Sequence, residues 1–136
     1  MNISLRKGEK IYMNGAVFRV DRKVSIELLN NVSFLLENHV MKREEATTPM
    51  RQLYFIVQTM LIAPGDAESA LKLCAGMLAT LRDASGDLRL SEGLAGVARH
   101  VGERRPFEAL KILRSLFPVE AELLDARSTV SEQAHA

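Results

Sequence analysis

The sequence predicts an α+β fold: an N-terminal antiparallel β-meander of four to five short strands packed with a C-terminal bundle of about four helices. Three observations predict it. Apolar residues alternate with a period of two as far as Met41, and after Thr48 they recur at steps of three and four. The two regimes do not interleave, which excludes a βαβ pattern. With 136 residues the chain has the length of one domain, expected over 1–127, with a sheet part at 1–41, a helical part at 48–124 and a flexible tail at 128–136.

In the sheet part Ile3 and Leu5, then Ile11 and Met13, then Ala16, Phe18 and Val20 each sit two apart, followed by Val24, Ile26, Leu28, Val32, Phe34 and Leu36. Lys7-Gly8-Glu9 separates the first two runs and Asn14-Gly15 the next two. Asn-Gly readily takes positive φ at both central positions of a type I′ turn, so it marks a tight hairpin. Asp21-Arg22-Lys23 and Asn30-Asn31 supply the remaining turns.

Thr48-Pro49 opens the first helix, because Thr caps free N–H groups and Pro suits the first helical position. Its stripe is Met50, Leu53, Tyr54, Val57, Met60 and Leu61, and Pro64-Gly65 ends it. Asp66 is placed to cap a second helix carrying Leu71, Cys74, Leu78 and Leu81, which Ser85-Gly86 breaks. A third, from about Asp87 to Val101, turns Leu90, Leu94, Val97 and Val101 inward. Its Gly93-x-x-Gly96 follows no strand, so it reads as close helix packing and not as a phosphate loop. Glu103-Arg104-Arg105-Pro106 opens the fourth, which presents Leu110, Leu113 and Phe117 beside Phe107 and is expected to stop at Pro118, with a further turn of helix over 119–124.

Composition narrows the function. Lys and Arg number 18 against 17 Asp and Glu, and there are five Phe, two Tyr and no Trp. That is neither the charge of a general nucleic-acid coat nor the aromatic content of a long stacking platform. Cys74 lies on an apolar stripe, and His39, His100 and His135 lack metal-ligand spacing. Glu44-Glu45 has no second acid placed across a cleft. The sequence therefore predicts no enzyme, no cofactor and no metal. A lone cysteine, no signal-like N-terminal run and no apolar stretch of membrane length point to the cytoplasm and away from membranes.

Two features remain. Arg6, Lys7, Lys10, Arg19, Arg22 and Lys23, against only Glu9 and Asp21, flank turns and are placed to gather at one end of the sheet. A phosphate backbone would suit them, with Tyr12 and Phe18 as stacking candidates. Charged side chains also simply keep an antiparallel sheet soluble. Arg99, Arg104 and Arg105, interleaved with Glu103 and Glu108, read as ion-paired caps. The second feature is apolar surplus: Leu73 and Met77, and Ile112 and Leu116, fall off the main stripes of their helices. They belong either to the core or to a seam for a homo-oligomer or another protein.

Asn14-Gly15-Ala16-Val17, Leu35-Leu36-Glu37-Asn38-His39-Val40, the block Ala46-Thr47-Thr48-Pro49-Met50-Arg51-Gln52-Leu53-Tyr54-Phe55 and the run Phe107–Pro118 resemble the FlbT family of flagellar-biosynthesis regulators of alphaproteobacteria. The likeness extends from about Ile3 to Leu124. It implies a post-transcriptional regulator that associates with the 5′ untranslated leader of flagellin mRNA and controls its translation and decay, with FlaF and flagellin as protein partners. The family supplies no catalytic residues to carry over. On that reading the sheet-turn cations would contact phosphate, and Arg51, Gln52 and Tyr54 would serve base or partner contacts, unless Arg51 merely pairs with Glu44 or Glu45. The alternative is a protein-binding adaptor or chaperone-like partner of flagellin or FlaF, acting through Leu73, Met77, Ile112 and Leu116 without RNA contact.

Overall fold

The computed structural model describes residues 2–135, with side chains through Arg127, so the expected tail at 128–136 lies outside the residues described in full. Five strands precede four helices: β1 (Asn2–Leu5), β2 (Lys10–Met13), β3 (Ala16–Arg19), β4 (Val24–Glu27), β5 (Phe34–Leu36), α1 (Pro49–Ile62), α2 (Ala67–Ala84), α3 (Leu88–Gly102) and α4 (Pro106–His135). The α+β class and the antiparallel strands are as the sequence predicts. The neighbours are not in chain order, however. β1 pairs with β4 in a two-stranded ribbon, and the second sheet has the order β3-β2-β5.

The period of two explains the layering. Ile11 and Met13 of β2 face one side with Phe34 and Leu36 of β5, and there they pack with Ile3 and Leu5 of the ribbon. Tyr12 and Leu35 leave the other face and join the helical core. The β2–β3 connection is the expected two-residue turn, with Asn14 at φ 51° and Gly15 at φ 81°. Positive φ at both central positions is the type I′ signature, and it twists the hairpin correctly.

Leu53, Val57, Leu94, Val97, Leu110 and Leu113 are fully buried in the helical core, each contributing about 1.5–3 kcal/mol of transfer free energy. α4 packs on both α1 and α3. At the α3–α4 contact, a Cβ placed on Gly93 would lie 2.7 Å from Leu116 Cδ1 and Cδ2, and one on Gly96 would lie 3.1 Å from Ile112 Cδ1. The Gly93-x-x-Gly96 pair therefore serves close helix packing, as its place in the sequence suggests.

Three local expectations need correction. α4 runs through Pro118. That residue is exposed, so its ring meets solvent, and Leu116 and Glu120 on either side are buried against α3 and α1. Packing on both flanks outweighs the missing N–H. Asp66 makes no side-chain cap, because a 3₁₀ turn at Pro64–Asp66 already leads into α2. The strand order departs from a simple meander, as described above. Two caps are formed, of which the sequence predicts that of Thr48. Asp87 caps α3, its Oδ1 accepting from the Arg89 and Leu90 amides at 2.8 and 3.3 Å. Thr48 caps α1, its hydroxyl accepting from the Arg51 N–H.

Candidate nucleic-acid interface

Strand pairing brings the basic turns together. Lys10 opposes Arg19 in the β2–β3 ladder, and Leu5 opposes Val24 in the ribbon, so the β1–β2 and β3–β4 turns share one end of the sheet layer. Two backbone bonds stitch them: Gly8 N–H to Val20 C=O at 2.8 Å and Val20 N–H to Glu9 C=O at 3.2 Å. Arg6, Lys7, Lys10, Arg19, Arg22 and Lys23 thus gather at that end.

The carboxylates nearby are largely committed to the backbone. Glu9 accepts from the Arg6 amide at 2.6 Å and Glu37 from the Lys10 amide at 2.8 Å. Among the described residues only Arg22 of the six is ion-paired, to Asp21 at 3.3 Å, and both side chains are largely solvated. Such a pair holds its cation weakly. Of the two stacking candidates, Phe18 is 50% exposed, whereas Tyr12 is half-buried against the helical core.

Arg51 is not part of this group. It sits at the start of α1 with its guanidinium 4.5 Å from the Phe117 ring centroid, and it makes no ion pair with Glu44 or Glu45. Beside it the buried Tyr54 hydroxyl donates to the His39 carbonyl at 2.6 Å and accepts from Arg114 Nη1 at 2.9 Å. Tyr54 also meets Phe117 edge-on at 5.6 Å. Arg51 and Arg114 with Tyr54 and Phe117 therefore form a second cationic and aromatic cluster on α1 and α4, held to the turn at His39 by its carbonyl. Gln52 lies exposed next to it, while Tyr54 is too deep to offer a free ring face.

Burial is the main cause lowering the His39 pKa, and the Arg114 charge adds to it. Burial raises the Tyr54 phenol, an effect that Arg114 partly offsets. Sequence reasoning missed Arg114 and also Lys111, which lies 5.8 Å from the Phe107 ring. The signal was present: Phe107, Lys111, Arg114 and Phe117 follow one another at steps of three and four along one helix.

Of the two alternatives for the surplus apolar positions, core or seam, packing in the structure places most of them in the core. Leu116 is buried against Gly93, Ile112 packs against Gly96, and Met77 is half-buried against the core. Only Leu73 stands open, at 58% exposure. The surplus apolar positions of α4 are there because the two glycines bring α3 close enough to cover them. Arg104 and Arg105 are ion-paired as expected, to Glu68 at 2.7 Å and Glu108 at 4.0 Å.

Little reactive chemistry accompanies these surfaces. Burial pushes the Cys74 thiol up to about 11, far from a working thiolate. A groove of about 850 Å³ runs between the start of α1, the α2–α3 joint and α4, lined by Met50, Leu81, Leu90, Leu94 and Leu123. Its one buried carboxylate, Glu120, is saturated by the Thr48 hydroxyl and the Met50 amide. Among the described residues no cluster of His, Cys, Asp and Glu would hold a metal, and no helix is long and apolar enough to cross a membrane.

Comparison with known proteins fixes the family. The model of the family described as flagellar protein FlbT matches residues 1–124. A protein of Mesorhizobium japonicum named "Probable flagellum biosynthesis repressor protein FlbT" is 49% identical over 130 residues, covering 96% of this chain and 88% of the relative. One of Bradyrhizobium diazoefficiens, with the same name and the suffix 2, is 52% identical and covers 95% of each chain. A Brucella ovis protein of that name is 49% identical over 96% of this chain and 86% of its own. No solved structure matches. These relatives are named as repressors of flagellum biosynthesis and not as enzymes, and this chain belongs to the FlbT family.

Proposed function

We infer that this protein is a cytoplasmic post-transcriptional regulator of flagellin synthesis that binds the 5′ untranslated leader of flagellin mRNA and lowers its translation and stability. The repressor names of its relatives support the direction of control. The observation that carries the RNA reading is the gathering of six cations at one end of the sheet with a single solvated ion pair among them. Lys and Arg side chains left without carboxylates are free to replace counterions along a phosphate backbone. The half-exposed Phe18 ring lies beside them for an unpaired base. The chain's total charge of +1 keeps such binding local, so leader shape would choose the RNA.

Binding of a labelled flagellin leader to the purified protein, followed by anisotropy at rising salt, tests this. Replacing Lys7, Lys10, Arg19 and Lys23 with Ala should weaken binding evenly across leader sequences. It should also flatten the log–log salt slope by about 0.7 for each phosphate that the variant no longer neutralises. Absence of leader binding at low salt rules the reading out.

A further inference from the structure

β3 is the outer strand of its sheet, with no strand beyond it. In a two-residue hairpin the hydrogen-bonded pairs recur every second residue from the turn: Met13 with Ala16, Ile11 with Phe18, Glu9 with Val20. The Val20 N–H to Glu9 C=O bond of 3.2 Å fixes that phase. The backbone groups of Val17 and Arg19 therefore point away from β2, and among the described residues none of them has a partner.

Edge strands are usually blunted with Pro, Lys, a bulge or a covering loop. β3 has only its shortness and the charge of Arg19 to blunt it, with no Pro, and all four of its residues are exposed. Its two large apolar side chains leave opposite faces: Val17, 54% exposed, on the helix side with Tyr12, and Phe18, 50% exposed, on the ribbon side with Ile11. An added strand would gain a backbone ladder and apolar contact on both faces.

We propose that the free edge of β3 is a docking site for an extended, acidic segment of a partner protein, added as a further strand of the sheet. Charge selects this occupant. Arg19 ends the strand and Lys23 lies just beyond it, with Lys10 on the neighbouring strand and Arg22 paired only to the solvated Asp21, so a carboxylate-bearing end of the incoming segment enters a cationic field. A second copy pairing antiparallel through β3 would leave those cations without counter-charges.

The test uses the full chain and a short synthetic peptide alternating Val and Thr with two Glu at its N-terminal end. The same peptide with Lys for Glu is the control. Amide exchange should slow at Val17 and Arg19 by about tenfold or more with the Glu peptide, and change little at Phe18, already bonded to β2. Val17→Pro removes only an outward N–H and should abolish the protection. Arg19→Glu, at an exposed position, should narrow the preference for the Glu peptide over the Lys peptide even where the proline variant folds poorly. Equal protection by both peptides, or none at millimolar peptide, overturns the proposal. So does a concentration-dependent dimer of the protein alone whose Val17 and Arg19 amides are already slow. The assay contains no RNA, so its outcome is independent of leader binding.

Discussion

Gly93 and Gly76 both sit inside helices, and sequence rules give them the same cost of about 1 kcal/mol relative to Ala. Their surroundings differ. A Cβ on Gly76 meets nothing within 4 Å, whereas one on Gly93 meets both methyl groups of the buried Leu116. Gly76→Ala should therefore raise stability by about 0.5–1 kcal/mol. Gly93→Ala should lower it by about 1 kcal/mol, the overpacking outweighing the helix gain. Urea denaturation of both variants checks the opposite signs. His39 gives a pH prediction. Its folded pKa lies below the ordinary 6.5, through burial and then Arg114, so the unfolded chain binds the proton more readily. Its contribution to stability is complete above about pH 6.5 and declines as pH falls through the lower folded value. His39→Gln should make the urea midpoint less sensitive to acid between about pH 7 and 5. Arg114→Gln should do so only in part, since burial of His39 remains. An unchanged acid slope in His39→Gln would show that other groups set it.

At the scale of elements, the Thr48–Glu120 contact ties the start of α1 to α4 across 72 positions of sequence. Glu120 also accepts from the Met50 N–H at 2.9 Å, in the first turn of α1, where the helix dipole favours an anion. Glu120→Ala leaves that amide and hydroxyl unsatisfied in a buried place and should cost about 3 kcal/mol, while Glu120→Gln, retaining an acceptor, should cost about 1 kcal/mol. Thermal unfolding of the pair measures the difference. This same contact shows where sequence reading ends. The strands, the Asn14-Gly15 turn and the Thr48 cap were legible because their causes lie within a few residues. Pro118 read as a stop because its penalty is local, whereas the packing that overrides it comes from α1 and α3. Likewise Ile112 and Leu116 looked unpartnered on their own helix, since the glycines that cover them lie on the preceding one. Of the candidate site, the turn cations were legible from hairpin alternation. Arg114 was not, because only the approach of α4 to α1 brings it to Tyr54.

At the scale of the molecule, the sheet layer has helices on one face and the ribbon on the other, and the two apolar clusters differ greatly in size. The ribbon-side cluster has four fully buried members, Ile3, Leu5, Ile11 and Phe34, against sixteen on the helical side. Four side chains at about 1.5–3 kcal/mol each offset the ordering entropy of two short strands only narrowly. The ribbon is therefore expected to open before the rest unfolds, unless the helices restrain it. One restraint is visible: Phe107 of α4 reaches across to Phe34, with ring centroids 4.8 Å apart, and packs in the ribbon-side cluster. Phe107→Ala should cost about 2 kcal/mol, less than a fully buried Phe, because the ring is only partly covered. Native-state amide exchange locates that cost. Ile3, Leu5, Val24 and Ile26 should exchange faster in the variant by at least about tenfold, while Leu53 and Val57 of α1 keep most of their protection. Of the six cations of the candidate interface, Arg6, Lys7, Arg22 and Lys23 sit on turns joining ribbon to sheet, so a loosened ribbon also spreads them from Lys10 and Arg19, which a phosphate backbone must meet together with them. If exchange instead accelerates equally in β1, β4 and α1, the two clusters unfold as one unit and Phe107 is ordinary core.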